Sequence, residues 1–183
     1  MSSGLLLIDL QNDYFPGGRM ELVGIQEAAS NARQLLSRYR EKQWPVIHVQ
    51  HLATRPGAGF FVPGTEGADI HAMLTPRAGE DVVQKHYPNS FRETSLGDIL
   101  DQRKISRLVI CGAMTHMCID TSTRAAFDLG FDCTVAEDAC ATRDLSFGGR
   151  TIAAVDVQGA FMAALLSPFA RVVATRTILD EAV

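Results

Sequence analysis

Leu108-Val109-Ile110-Cys111-Gly112-Ala113-Met114-Thr115-His116-Met117-Cys118 is the stretch on which the reading of this chain turns. Its first four residues form a continuous apolar run without the polar alternation of a half-solvated strand, which suits a strand covered on both faces. From Thr115 a helical stretch runs to Leu129 and stops at Gly130, a residue suited to the left-handed turn that closes helices. Strand, tight turn and helix in that order are the unit of a parallel α/β sheet. Thr115 reads as the N-cap, so His116, Met117 and Cys118 become the first three helical positions. A sulfur there meets unpaired N–H groups and the positive end of the helix dipole, both of which favour a thiolate.

The same alternation extends in both directions. Gly4–Ile8, Val46–Val49, Val82-Val83, Thr134–Ala136 and Val172–Ala174 read as five further strands. Ile25, Ala28, Ala29, Ala32, Leu35, Leu36 and Tyr39 recur with helical spacing and predict an amphipathic helix. Ser95-Leu96-Gly97-Asp98 reads as a capping box opening a helix that buries Leu96, Ile99 and Leu100. Ile152, Val155, Met162 and Leu165 mark the last long helix. The expected architecture is one domain over residues 1–183. It is an open α/β sandwich, with a six-stranded, mostly parallel sheet and helices on both faces. Residues 53–79 carry three Pro and five Gly with no apolar period, and read as a long loop that covers or forms a site or meets a neighbouring subunit.

Composition narrows the function. A chain of 183 residues buries about 70% of its surface on folding and needs no disulfide or metal staple. Hydrophobic residues make up 46% and charged residues 21%, which argues against disorder or coiled coil. The net charge of −4, without any basic run, argues against nucleic acid as a partner. The N-terminal apolar run is too short for a signal or membrane segment. Cys111, Cys118, Cys133 and Cys140 lie within thirty residues without a Cys-x-x-Cys, and read as reduced thiols of a cytoplasmic protein.

Parallel sheets hold their ligands at the carboxyl ends of strands. Four strands run there into reactive side chains: Asp9 after the first, Lys85 after the third, Cys118 beyond the fourth, and Asp138-Ala139-Cys140 after the fifth. An acid, an amine and a thiol converging on one edge are the parts of an activated nucleophile. Taken singly, Cys118 reads equally as a buried small apolar residue, Asp9 also as a loop cap or the partner of a surface Arg, and Lys85 most often as a surface amine. Together they tune one another.

Asp9-Leu10-Gln11-Asn12-Asp13-Tyr14-Phe15, then Lys85 with Ser90-Phe91 and Thr94-x-Leu96, then Gly112-Ala113-Met114-Thr115-x-x-Cys118 and Arg124-x-Ala126-x-Asp128-x-Gly130 resemble the isochorismatase-like cysteine hydrolases. That superfamily includes nicotinamidases, carbamoylsarcosine amidohydrolases and streptothricin hydrolases. The resemblance implies that Cys118 attacks a carbonyl to form a thioester. Asp9 would be the acid and base and Lys85 their electrostatic partner. It also implies a cis peptide at Ala113–Met114 and an oxyanion hole made by the Met114 and Cys118 amides. The substrate would be a small molecule with a non-peptide C–N bond (amide, ureido or lactam). No cofactor is implied, and the assembly would be a homo-oligomer.

Nicotinamidases carry an Asp and two His metal site beyond the second strand. Here the nearest matches are His51 and Ala53, and His48 and His51 point to opposite faces by strand alternation. No metal is therefore expected. Phe15 and Phe91 flank Asp9 and Lys85 and are expected to wall the site, with His116 at its edge. Cys140 is the rival nucleophile. Two other classes stay open at this level. One is a catalytically silent ligand-binding or scaffold protein on the same fold; the other is a redox protein pairing Cys118 with Cys111 or Cys140.

Overall fold

The structure is a computed structural model and describes residues 2–181. Eight strands and five α-helices follow one another. The elements are β1 (Ser2–Ile8), α1 (Ile25–Glu41), β2 (Val46–His51), β3 (Asp81–Lys85), α2 (Leu96–Gln102), β4 (Ile105–Ala113), α3 (Asp120–Asp128), β5 (Asp132–Ala141), β6 (Leu145–Phe147), β7 (Arg150–Ile152), α4 (Ala154–Leu165), β8 (Arg171–Val173) and α5 (Thr175–Asp180). Six strands form one sheet in the order β3-β2-β1-β4-β5-β8, and every pairing in it is parallel. The strand order reverses between β1 and β4, the switch point at which such sheets open a crevice.

Period-two alternation along β1 sends its side chains to two cores. Leu5 and Leu7 pack with Ile25, Leu35 and Leu36 of α1 and Ile178 of α5. Leu6 and Ile8 pack with Leu96 and Leu100 of α2, Ala126 of α3 and Met162 and Leu165 of α4. All seven apolar positions expected of the first helix are buried. Two faces of a parallel sheet are thereby covered by helices, the arrangement that continuous apolar strands require.

Several local expectations are corrected. Met114, not Thr115, precedes the helical turn, and residues Thr115–Ile119 form a π-turn before α3 begins. The Thr115 hydroxyl instead faces Gln158 Oε1 at 2.6 Å and the Ala141 carbonyl at 3.2 Å. Ser95 makes no side-chain cap; Thr94 Oγ1 accepts the Leu96 N–H. The fifth strand runs on to Ala141, so Asp138 and Cys140 belong to it. Two steps along β4 (Ile110 to Gly112) match five along β5 (Val135 to Cys140), a bulge that no apolar pattern announces. Ile152 lies in the antiparallel β6–β7 hairpin, not in the last long helix, and Val155 is exposed at the start of α4. The 53–79 loop carries two short 3-10 turns, Glu66–Ala68 and Ala72–Leu74.

Gly112 makes the crevice possible. It adopts φ +130°, and a Cβ there would lie 2.0 Å from the Ile8 carbonyl oxygen. Only glycine lets the carboxyl ends of β1 and β4 come this close.

Candidate active site

Asp9 leaves the end of β1 with φ 54°, a left-handed conformation that Asp tolerates better than most residues. Its N–H still bonds to the Val49 carbonyl of β2 at 2.9 Å, which fixes the turn. Lys85 ends β3, and Cys118 lies in the π-turn beyond β4. These three side chains meet. Lys85 Nζ lies 2.7 Å from Asp9 Oδ2, and both side chains are wholly buried. The same nitrogen donates to Cys118 Sγ at 3.1 Å. Cys118 itself is 4% exposed. The other Asp9 oxygen, Oδ1, is buried without a hydrogen-bond partner among the described residues.

Burial works against the Lys85 ammonium, but Asp9 and Cys118 outweigh it and hold it charged above its ordinary range. Burial, reinforced by the Asp9 carboxylate, pushes the Cys118 thiol well above its ordinary range, and the nearby ammonium only partly offsets this. Burial and Asp9 thus act against the thiolate expected at a helix mouth, and Lys85 acts for it. Asp9 and Lys85 already neutralise each other, so a sulfur anion would leave a net negative charge in a dry site.

Sequence reasoning discarded His51 as a metal ligand and gave it no other role. In the structure it ends β2 directly opposite Lys85, and Lys85 Nζ lies 3.1 Å from its Nδ1. One ligating atom each of Asp9, His51 and Cys118 all lie within 4.8 Å of one another. What stands among them is the Lys85 ammonium, which reaches all three as acceptors. The sequence pattern ends the second strand at Val49, and only its extension to His51 in register with Lys85 brings this residue to the site.

Beside this cluster opens a cavity of about 480 Å³ whose wall includes His51, Phe60, Tyr87, Met114, Met117 and Arg143. Phe15, Phe91 and His116 do not line it. Phe15 follows a 3-10 turn (Asn12–Tyr14) that carries it into the α1-side core, where its ring stacks on His71 at 3.7 Å. Phe91 packs against Phe131 on the opposite face of the sheet. His116 Nδ1 lies 2.6 Å from Thr142 Oγ1, and its ring meets Phe161 edge-on. The aromatic walls come instead from Phe60, in the loop expected to cover the site, and from Tyr87, just past Lys85. Asp13 holds that loop in place: its carboxylate accepts the N–H of Phe61 at 2.6 Å and of Arg19 at 3.2 Å.

The Ala113–Met114 peptide bond is cis. Cys140, the rival nucleophile, is buried in β5, and burial pushes its thiol up to about 12. Cys111 is fully buried, and all four cysteines are free thiols.

A cysteine, a carboxylate and an ammonium held together at the carboxyl edge of a parallel α/β sheet, beside a cavity of small-molecule size, define a class of hydrolases. Residues 3–175 match the isochorismatase domain. The chain belongs to the isochorismatase family, and it is a hydrolase of that family. It is 46% identical over 179 residues to the isochorismatase family protein YddQ of Bacillus subtilis, covering 98% of this chain and 99% of that one. A solved isochorismatase-family hydrolase from Oleispira antarctica superposes with a TM-score of 0.94 at 50% identity, over 97% of this chain and 96% of that one. A streptothricin hydrolase of Streptomyces noursei is 33% identical over 144 residues, 77% of this chain and 50% of that enzyme. No helix among the described residues is long and apolar enough to cross a membrane.

Proposed function

We propose that the protein hydrolyses a small non-peptide C–N bond, in an amide, ureido or lactam compound, through a thioester on Cys118. One observation carries this: the buried Lys85 ammonium touches both Asp9 Oδ2 and Cys118 Sγ beside a cavity large enough for a small acyl compound. A carboxylate oxygen of Asp9 within 4.8 Å of Cys118 Sγ supports the reading that Asp9 accepts the thiol proton.

The sequence of events follows from those groups. The Cys118 proton passes to Asp9 as the sulfur bonds to the substrate carbonyl carbon, and the carbonyl electron pair moves onto oxygen. Lys85 stays charged throughout, so the negative charge that leaves Asp9 for the substrate oxygen never lacks a nearby cation. The oxyanion is held by the Met114 and Cys118 amides. The intermediate collapses as Asp9 returns the proton to the leaving nitrogen and the C–N bond breaks. Water then attacks the thioester with Asp9 as base, the C–S bond breaks, and the thiol recovers its proton. The name of the streptothricin relative, a hydrolase, supports the same class of chemistry.

The test pairs two measurements on wild type, Cys118→Ala and Asp9→Asn. One is ammonia or amine release from a panel of small amides, ureido acids and lactams; the other is mass-spectrometric mapping of iodoacetamide adducts. Expected are turnover of at least one compound by wild type alone and an acyl adduct on Cys118 in acid-quenched samples. Undiminished turnover in Cys118→Ala removes the nucleophile, and undiminished turnover in Asp9→Asn removes the base.

A further inference from the structure

We propose that His51 is a positioning residue for Lys85: its Nδ1 accepts a hydrogen bond from the ammonium, and protonation of that nitrogen breaks the contact and disarms the site.

An ammonium has three protons and no lone pair, so a ring nitrogen 3.1 Å from Lys85 Nζ must be the acceptor. In the neutral ring the proton therefore resides on Nε2. Five acceptors surround Nζ: Asp9 Oδ2, Cys118 Sγ, His51 Nδ1 and the carbonyls of Tyr87 and Pro88 at 3.1 and 3.4 Å. Asp9 and Cys118 change protonation during the reaction, and the two carbonyls belong to backbone. Of the five, His51 is the side chain that also reaches the cavity wall.

His51 is itself held by a clamp that also ties in the loop at Ala68 and Ile70. Gln11 is fully buried. Its Oε1 accepts the His51 N–H at 2.7 Å, and its Nε2 donates to the His51 carbonyl at 2.8 Å and to the Ala68 carbonyl at 2.7 Å. One side chain thus supplies both backbone bonds that a further strand would give to the end of β2. With the strand end pinned and His51 in register with Lys85, the imidazole has a fixed place from which to receive the ammonium.

The charged and titratable neighbours of His51 come from every adjoining element. Asp9 at the end of β1 favours an imidazolium. Lys85 on β3, His86 just beyond it and burial oppose one, burial most strongly, and the net effect lowers its pKa. Cys118 faces it from the π-turn, and Arg55 and Arg143 stand on the cavity rim. Near neutral pH His51 thus keeps its lone pair. In acid, two donors face each other at 3.1 Å and the ammonium is displaced from Asp9 and Cys118.

The experiment has two arms, and only the second rests on the hydrolase reading. In the first, 15N-histidine-labelled protein is titrated by NMR. His51 is expected as the Nε2–H tautomer at pH 8, with its midpoint below about 6.5, and Lys85→Met is expected to move that midpoint up by at least about one pH unit. An Nδ1–H tautomer overturns the proposal, as does a midpoint unmoved in Lys85→Met. If that variant does not fold, the wild-type tautomer decides alone. In the second arm, kcat/KM against pH is compared for wild type, His51→Asn and His51→Leu, using the amide of the panel that wild type hydrolyses fastest. Wild type is expected to lose about tenfold per pH unit below the His51 midpoint. Asn, which offers an oxygen near the place of Nδ1 but does not titrate, is expected to lack that limb and to be at least about tenfold faster than Leu at pH 8. An acid limb unchanged in His51→Asn overturns the proposal. Absence of turnover in wild type overturns the hydrolase reading, and the NMR arm then decides the role of His51 by itself.

Discussion

Replacing Lys85 by Met and Asp9 by Asn, singly and together, measures how far the buried pair acts as a unit. The two charges lie 2.7 Å apart with no solvent access to either side chain. At an effective dielectric of about 20 their attraction is about 6 kcal/mol, and stripping one partner from a buried pair typically costs about 3–5 kcal/mol. The two single changes are not equivalent. Lys85→Met leaves a carboxylate whose Oδ1 already lacks a partner among the described residues, so about 4 kcal/mol is expected. Asp9→Asn leaves an ammonium with Cys118, His51 and two carbonyls still in reach, so about 2 kcal/mol is expected. The double variant buries no uncompensated charge from this pair and should cost only about 3 kcal/mol, a coupling near about 3 kcal/mol. The assay is urea unfolding by circular dichroism at pH 7.5 on all four proteins, checked by calorimetry. For a chain of this length Lys85→Met should lower Tm by about 8–16 °C. Costs that add to within about 0.5 kcal/mol in the double variant would refute the buried-pair argument.

Three further outcomes follow from other features. Gly112→Ala puts a Cβ 2.0 Å from the Ile8 carbonyl at φ +130° and should cost more than about 4 kcal/mol; a Tm within a few degrees of wild type contradicts this. Stability should fall as pH drops below about 6.5, because burial lowers the pKa of His48 and His51 and the unfolded chain takes up protons that the folded one refuses. A second loss should begin below about pH 4.5, since Glu80, despite its burial, is held down to about 2 by Arg40, the Arg77 N–H and His48. Urea midpoints between pH 8 and 3 check both. Cys118 should be alkylated more slowly at pH 7.5 than a free thiol and faster above pH 9, because its burial and Asp9 disfavour the anion. Rapid labelling at pH 6 would contradict that protonation state.

What the sequence made legible was whatever depends on apolar periodicity and strand ends. Six strands, the first helix with all seven of its buried positions, and the convergence of Asp9, Lys85 and Cys118 all follow from that logic. The misses have a common physical origin. Phe15 and Phe91 each lie six residues beyond a site residue, outside the strands, so no period fixes their direction; the 3-10 turn after Asp9 sends Phe15 into one core and Phe91 packs in the other. The π-turn at Thr115, the β5 bulge and the Gln11 clamp are hydrogen-bonding choices that leave no hydrophobic trace. Phe60 and Arg143 reach the cavity from aperiodic segments, where only tertiary contacts decide direction.

The ammonium rides on an outermost ribbon. β3 has a pairing partner on one side alone, and five register pairs join it to β2. A slip of one residue along β2 would advance it by about 3.3 Å and turn Gln84 or His86 to where Lys85 now stands. The proposed chemistry is consequently tied to the docking of a strand that the sheet holds from one side. Heating should silence the protein by peeling that strip away before the rest melts, so inactivation would precede loss of secondary structure.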